Sequence, residues 1–397
     1  MTMAIAQARL FPMRAASGLV GRACTSAKYS ALGAVLLVMV AGTGCAPNAL
    51  LAYESKQPPT VSLPLSFAGI NDARSAFAAL FASELGERVG TTAVPWLHGV
   101  EFGKPDAAQV GNPTAARFAE RAAMTSVLIA GGLLGDCVGA QSVPFGDGVA
   151  RTPERSIIEA YRQYDDLGFR SIRLVPLPGR ASSESNGRLL ADAIRTELAQ
   201  PGVKRIVLIG YSKGVPDLLH ALARLQHEGG VPRGVTAVIS VAGVVMGTPV
   251  ADYYESTYDA ISPMVKLLDC TSSQGGDFAS VTRRERVAWL AANPLPSGPA
   301  YYSIVAHLPI EELSPGLEWT GKLLAGVDPR NDGQLVAADA VLPGSTLLAE
   351  ARADHWNIAL PLNRYPSSLV RAVAFDRSFP REALLRAVLK WVVGNGP

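Results

Sequence analysis

The chain has 397 residues, of which 48% are hydrophobic and 18% are charged, and its formal net charge is +2. This length and composition fit one large globular domain with extensions. The sequence contains no basic block and no interleaving of basic with aromatic residues, so it gives no indication of nucleic-acid binding. The near-neutral charge balance leaves the class of substrate open.

The first 45 residues have the shape of an export signal. The apolar run ALGAVLLVMVAGTGC covers 31–45, is preceded by Arg14, Arg22 and Lys28, and is too short to span a bilayer. It ends on small residues before Cys45 and so resembles a bacterial lipobox, although Gly42 stands where a Leu is usual. We expect residues 1–45 to be a lipoprotein signal lipidated at Cys45. An ordinary signal, an uncleaved anchor and a buried helix are the alternatives.

The cysteines are Cys24, Cys45, Cys137 and Cys270. If the signal is removed and Cys45 is lipidated, two cysteines remain in an exported domain, and a Cys137–Cys270 disulfide is the simplest hypothesis. Two unpaired thiols are the alternative. No Cys/His pair has metal-ligand spacing, so we expect no metal site.

Residues 46–65 are proline-rich and are expected to form a tether. The segment 66–124 is predicted to be a helical layer, because 72–86 carries Phe77, Leu80 and Phe81 at helical spacing. His98 precedes every other candidate site residue, so we expect it to be structural or exposed.

Six apolar, β-branched runs predict strands, and helical patterns lie between them. This alternation predicts a mostly parallel sheet with helices on both faces, over 125–397. Ser182, Ser183 and Ser185 precede one of the helices and are expected to be turn and cap residues. The predicted strands are 125–130, 171–175, 206–209, 237–241, 301–306 and 346–351.

A G-x-S-x-G pattern, Gly210-Tyr211-Ser212-Lys213-Gly214, lies between a strand and a helix. A strand that turns directly into a helix at a Ser needs small neighbours, because a Cβ at either Gly would crowd the backbone. The Ser hydroxyl would then stand at a helix N-terminus, which favours developing negative charge. An ordinary glycine-rich turn is the alternative.

The region 247–299 interrupts the alternation, because it contains no predicted strand. Apolar and aromatic residues lie among polar ones there, and a cap over the site would exclude water. A helical decoration packed on the core is the alternative. The residues concerned are Tyr253, Tyr254, Tyr258, Met264, Leu267, Leu268 and Trp289.

Two later loops carry a conspicuous Asp and His. Asn331-Asp332-Gly333 follows the strand at 301–306, close to Asp328, and an Asx turn is the structural alternative for this motif. His355 directly follows the strand at 346–351.

These motifs resemble the α/β-hydrolase superfamily, and within it bacterial serine esterases and lipases, from about 125 to the C-terminus. The resemblance implies Ser212 as nucleophile and His355 as base, since His355 completes the order Ser, acid, His. It implies Asp332 as acid by likeness to the acid loop of bacterial triacylglycerol lipases, with Asp328 as the rival acid. It also implies an oxyanion hole formed by the N–H of Lys213 and that of Leu133, with Gly132 as alternative. A plain glycine-rich loop remains open at 131–135.

The resemblance implies a hydrolase of carboxylic esters, including lipid esters, that needs no metal or organic cofactor. An acyltransferase with the same triad, a peptidase, and a non-catalytic surface-anchored binding protein are the alternatives. We expect a monomer in the cell envelope, lipid-anchored to a membrane in the periplasm or at the cell surface.

Overall fold

The computed structural model describes residues 69–86, 96–99, 115–133, 141–146, 149–150, 154–256, 278–362, 368–374 and 379–395. Within these ranges, seven strands form one sheet: β1 (Asn71–Asp72), β2 (Thr125–Ala130), β5 (Ser171–Leu174), β6 (Arg205–Tyr211), β7 (Val235–Val241), β8 (Ala300–Ala306) and β9 (Thr346–Ala351). Their order in the sheet is β1-β9-β8-β7-β6-β2-β5, and all neighbouring strands pair in parallel. β3 (Gln141–Ser142) and β4 (Val149–Ala150) form a separate antiparallel pair.

Helices alternate with these strands and cover the sheet. Short 3₁₀ turns occur at Arg162–Leu167, Ala279–Val281, Ile310–Glu312, Pro315–Leu317 and Ala337–Ala340. The α-helices are α1 (Arg74–Glu84), α2 (Ala115–Ala123), α3 (Glu154–Glu159), α4 (Ser183–Leu198), α5 (Gly214–His227), α6 (Pro249–Ser256), α7 (Arg283–Ala292), α8 (Glu318–Ala325), α9 (Ser368–Val373) and α10 (Arg381–Asn395).

The central strands are apolar on both faces because both faces are buried. Along β2, Val127 and Ile129 pack in one cluster with α1 and α10, whereas Leu128 packs in a second cluster with α4 and α5. Every residue of β2 is buried. Such a strand reads as a continuous apolar run instead of an alternating one, and this confirms the prediction of a parallel sheet with helices on both faces.

β1 was not predicted from the sequence. It consists of Asn71 and Asp72, both exposed, and it pairs with Thr346 and Leu347 of β9 at the sheet edge. Two polar residues carry no period-2 signal, so only the pairing itself identifies the strand. The segment 66–124 therefore contributes an edge strand as well as helices. In α1 the predicted apolar face is present, and Phe77 packs edge-on against Trp391 of α10 at 6.1 Å between ring centroids.

Ser182 caps α4, as expected, whereas Ser183 and Ser185 lie in the first turn of the helix. The Ser182 side chain accepts a hydrogen bond from the backbone N–H of Ser185 at 3.2 Å. This satisfies one of the free N–H groups of the first helical turn.

Part of the 247–299 insertion is described, as α6, a 3₁₀ turn and α7. Trp289 of α7 stacks on His220 of α5, with 4.3 Å between ring centroids, so this part of the insertion packs against a core helix. Tyr254 of α6 contacts Phe278 and Trp319. The other predicted cap residues, Tyr258, Met264, Leu267 and Leu268, lie outside the described residues.

The signal at 1–45, the tether at 46–65 and all four cysteines also lie outside the described residues, so Cys45 and the Cys137–Cys270 pairing stay predictions. No helix within the described ranges has both the length and the apolarity needed to cross a bilayer.

Candidate active site

The candidate site residues collect where parallel strands end. β2, β6, β7, β8 and β9 run in the same direction, so their carboxyl ends share one edge of the sheet. Ser212 directly follows β6, and His355 follows β9 by a few residues. Loops at this edge are where α/β sheets place their ligands.

Ser212 sits on a strained turn between β6 and α5. Its φ is +56°, which is uncommon for a residue with a side chain. The turn is held by its backbone: the carbonyl of Ser212 accepts from the N–H of Val215 and that of Val244, both at 3.1 Å. The conformation lifts the Ser212 side chain out of the strand, as expected for a nucleophile elbow.

The glycines on either side of Ser212 allow this turn. An added Cβ would lie 2.8 Å from Cα of Val215 at Gly210, and 2.2 Å from the carbonyl oxygen of Ala130 at Gly214. Both contacts are with backbone atoms, so neither position has room for a side chain. The crowding expected from the G-x-S-x-G pattern is therefore present at both positions.

Asp332 lies in a buried Asx turn that engages only one of its two carboxylate oxygens. Oδ1 accepts from the backbone N–H of Gln334 at 2.8 Å and that of Leu335 at 2.7 Å. Oδ2 lies 2.7 Å from Nδ1 of His355. The Asx turn and the acid were weighed as alternatives, but the structure combines them, since the turn fixes the carboxylate that meets the imidazole.

His355 lies between Asp332 and Ser212. Its Nε2 is 2.8 Å from Oγ of Ser212, and all three side chains are buried. The backbone N–H of His355 also donates to the carbonyl oxygen of Asp332 at 2.8 Å. The structure therefore brings together the three residues that the sequence singled out.

The rival acid lies elsewhere. The Asp328 carboxylate accepts from Nε and Nη2 of Arg330 at 3.2 and 2.8 Å. Asp332, not Asp328, contacts the imidazole of His355.

The loop after β2 passes directly over Ser212. A Cβ added to Gly132 would lie 3.0 Å from Cβ of Ser212 and 3.4 Å from its Oγ, so a side chain here would crowd Ser212. The N–H groups of Leu133 and Gly132 are thus in the segment beside Ser212. The N–H of Lys213 stands at the start of α5, where the helix dipole favours negative charge.

A buried ion pair behind the elbow was not predicted. Nζ of Lys213 lies 2.8 and 2.9 Å from the two carboxylate oxygens of Asp217, and Nδ2 of Asn186 donates to the same carboxylate at 2.7 Å. The ammonium is thus held within the core by α5 and α4. The i, i+4 spacing of Lys213 and Asp217 was the available signal.

Asp354 anchors the histidine loop, and its role was also missed. Its Oδ2 accepts from the backbone N–H and hydroxyl of Ser314 at 3.0 and 2.6 Å, and its Oδ1 accepts from the N–H of Trp356 and that of Asn357. An Asp followed by polar residues is a turn signal, but Ser314 is 40 residues away and could not be identified from it.

The other described histidines do not contact this cluster. His98 stacks on His307 with 3.7 Å between ring centroids, and its Nε2 is 2.9 Å from the His307 carbonyl oxygen. Burial lowers the pKa of His98. Its structural role agrees with the expectation from the sequence.

No protein-family model matches the chain, and no curated protein matches it. Among solved structures, the metagenomic carboxyl esterase MGS0156 is 30% identical, with a TM-score of 0.67, over 88% of this chain and 100% of that chain. The mature form of the lipase BlEst2 from Bacillus licheniformis is 19% identical, with a TM-score of 0.47, over 67% of this chain and 92% of that chain. Lipase 1 from Pelosinus fermentans is 11% identical, with a TM-score of 0.41, over 59% of this chain and 92% of that chain.

The parallel sheet and the likeness to MGS0156 define an α/β-hydrolase fold, as the sequence predicted. The chain belongs to the same family of carboxyl esterases as MGS0156, and it is a carboxylic ester hydrolase. This assignment rests on MGS0156, whose whole length is matched by 88% of this chain.

Proposed function

We propose that this esterase works through an acyl-enzyme on Ser212, with His355 as general base and acid and Asp332 as the group that orients the imidazole. The observation that carries the proposal is the pair of contacts at His355, 2.8 Å to Ser212 Oγ and 2.7 Å to Asp332 Oδ2. A nucleophile, a base and an orienting acid in hydrogen-bond reach of one another are what acyl transfer requires.

The proposed acylation step follows from these contacts. Ser212 Oγ attacks the ester carbonyl carbon, and its proton passes to Nε2 of His355. The imidazolium is stabilised by the Asp332 carboxylate at Nδ1, and it then protonates the departing alkoxide. Water attacks the acyl-enzyme in the second half, and His355 again takes and returns a proton.

The oxyanion formed in both halves would be bound by backbone N–H groups. We assign one to Lys213, at the start of α5, and the other to Leu133, with Gly132 as the alternative. The close approach of Gly132 to Ser212 supports this location for the substrate carbonyl. A single such donor contributes roughly 3 kcal/mol in comparable sites.

Lipid esters are the proposed substrate class within the esters. The support is the lipoprotein-like segment at 1–45, which would hold the enzyme at a membrane surface. Activity on p-nitrophenyl esters of graded chain length would test this. We expect higher kcat/KM for esters of long acyl chains, and a higher kcat/KM for the acetate ester would contradict the proposal.

The acyl-enzyme can be tested directly with p-nitrophenyl acetate under rapid mixing. We expect a burst of p-nitrophenol, and intact-protein mass spectrometry of the quenched sample should show an added acetyl group on the wild type but not on Ser212→Ala. Adding a primary alcohol should leave the rate of nitrophenol release in the burst unchanged, and formation of its acetate ester would reveal transfer alongside hydrolysis. An acetylated Ser212→Ala variant with wild-type turnover would contradict the proposal.

A further inference from the structure

Tyr211, the residue before the nucleophile, contacts the histidine loop. Its buried hydroxyl donates a hydrogen bond of 2.7 Å to the backbone carbonyl oxygen of His355, and its ring lies 5.4 Å from the imidazole between centroids. The same ring borders the loop after β2, since a Cβ at Gly132 would lie 3.3 Å from Cε1 of Tyr211. The Tyr211 side chain thus borders both the loop that carries His355 and the loop after β2, which carries the proposed oxyanion-hole N–H groups.

The hydroxyl of Tyr211 remains a donor under ordinary conditions. Burial raises the pKa of Tyr211 well above its usual value, and the nearby carboxylates of Asp332 and Asp354 raise it further. The phenol therefore keeps its proton, and the His355 carbonyl keeps its partner.

With Tyr211 included, both backbone groups of His355 are fixed to other parts of the site. Its N–H donates to the carbonyl of Asp332 at 2.8 Å, and its carbonyl accepts from Tyr211. Since Tyr211 is covalently joined to Ser212, the nucleophile and the base are linked by a second path besides the Oγ to Nε2 contact. That path sets how far the imidazole can shift from Ser212.

We propose that Tyr211 is a positioning residue that holds His355 at the distance and angle from Ser212 needed for proton transfer, a role that rests on the proposed triad. A shift of the imidazole weakens proton transfer in the transition state more than it weakens substrate binding. The signature of this role is therefore a loss of kcat at nearly constant KM.

Tyr164 provides a matched control. Its hydroxyl donates to the backbone carbonyl of Phe145, also at 2.7 Å, and its exposed fraction is 1% against 2% for Tyr211. Tyr164→Phe removes a hydrogen bond of the same kind without touching His355. Both Phe variants keep the aromatic ring and its packing, so both are expected to fold.

The test compares wild type, Tyr211→Phe, Tyr164→Phe and Ser212→Ala by steady-state kinetics and thermal unfolding. Fluorophosphonate titration sets the active concentration of the first three, and absorbance sets the concentration of Ser212→Ala. We expect Tyr211→Phe to lower kcat by about tenfold with KM within about twofold, and to slow inactivation by the fluorophosphonate in parallel. Tyr164→Phe should lower the Tm no more than Tyr211→Phe does, because the Phe145 carbonyl still accepts from Nε2 of Gln163 at 2.8 Å, and it should leave kcat within about twofold.

The proposal is overturned if Tyr211→Phe keeps the wild-type kcat, if its effect falls on KM alone, or if Tyr164→Phe lowers kcat to the same extent. These results would leave the triad itself intact, because Ser212→Ala reports on that separately. Wild-type turnover by Ser212→Ala would instead remove the proposed function, and with it the basis for a positioning role.

Discussion

The two oxygens of the Asp332 carboxylate have different partners, and this division decides what a single substitution does. Oδ1 holds the turn through the N–H groups of Gln334 and Leu335, and Oδ2 meets Nδ1 of His355. An amide at this position can still accept from the two backbone N–H groups. Its NH₂ would then face Nδ1 of His355, which favours the tautomer whose Nε2 carries the proton and cannot accept one from Ser212.

Asp332→Asn should therefore fold normally but lower kcat by about 10³-fold or more, with a small change in KM. Steady-state kinetics and thermal unfolding measure the two effects separately. Asp328→Asn is the matched control, because it loses only the contacts with Arg330, and its kcat should stay within about twofold of wild type. The reverse pattern would make Asp328 the acid.

At the scale of elements, α5 carries buried charge directly behind the nucleophile. Lys213 and Asp217 form an i, i+4 ion pair whose side chains are 1% and 2% exposed. Arg286 of α7 is fully buried, and its Nε donates to the carbonyl of Val245 at 3.2 Å. Burial lowers the pKa of Arg286 to about 10, and the Asp217 carboxylate opposes this shift. The carboxylate of Asp217 thus stabilises the positive charges of both Lys213 and Arg286.

Asp217→Asn should lower the free energy of unfolding by about 3 kcal/mol, because it leaves the Lys213 ammonium buried without its anion. Urea denaturation measures this, with Glu184→Gln as control. Glu184 pairs with Arg188 on the exposed face of α4, so its loss should cost less than about 1 kcal/mol. The double variant Lys213→Met/Asp217→Leu should recover part of the lost stability. Equal effects of the two single substitutions would contradict this account.

His220, on the same helix, makes stability depend on pH. Its pKa is lowered to about 3, mainly by burial and further by the positive charges of Arg286 and Lys213. In the unfolded chain the imidazole takes up a proton near its usual pKa of about 6.5, so acid favours unfolding. From pH about 6.5 down to about 3, His220 should lower the free energy of unfolding by up to about 1.4 kcal/mol per pH unit.

His220→Gln should remove this component. Urea unfolding at several pH values between 7 and about 4.5 should show a shallower decline for the variant than for wild type. Parallel curves for the two proteins would show that His220 is not kept neutral in the folded state.

At the scale of the whole molecule, the sheet was predictable and the contacts between its loops were not. β2 and β9 have the bounds that the sequence predicted. For β2 the reason is burial along its whole length, which leaves a continuous apolar run in the sequence. The G-x-S-x-G pattern selected Ser212, and the order Ser, acid, His selected His355. Asp332 was preferred to Asp328 only by likeness to the acid loop of bacterial triacylglycerol lipases.

What could not be predicted depends on residues far apart in the sequence. Tyr211 and His355 are 144 residues apart, and their contact joins a side chain to a backbone carbonyl, which leaves no residue-type signal at the acceptor. β1 was missed for a related reason, since two polar residues become a strand only by pairing with β9. Asp217 and Asp354 were visible as residues, but their partners on other elements were not.

The place of the enzyme in the cell is a prediction from residues 1–45 alone. If Cys45 is lipidated, cells expressing the full chain should incorporate radiolabelled palmitate into the protein, and Cys45→Ala should abolish the label. Globomycin should also block processing. An unlabelled wild type, or processing that is insensitive to globomycin, would remove the lipoprotein assignment without affecting the esterase.

The central claim, that Ser212 is the activated nucleophile, is tested most directly by labelling with a fluorophosphonate probe. The protein lacking residues 1–45 and its Ser212→Ala variant would be treated side by side, and the modified peptide would be identified by mass spectrometry. The account predicts a single label on Ser212 and none on the variant, because the proposed base, His355, lies 2.8 Å from this hydroxyl. A label on another serine that persists in Ser212→Ala, or a folded and unlabelled wild type that still hydrolyses esters, would contradict it.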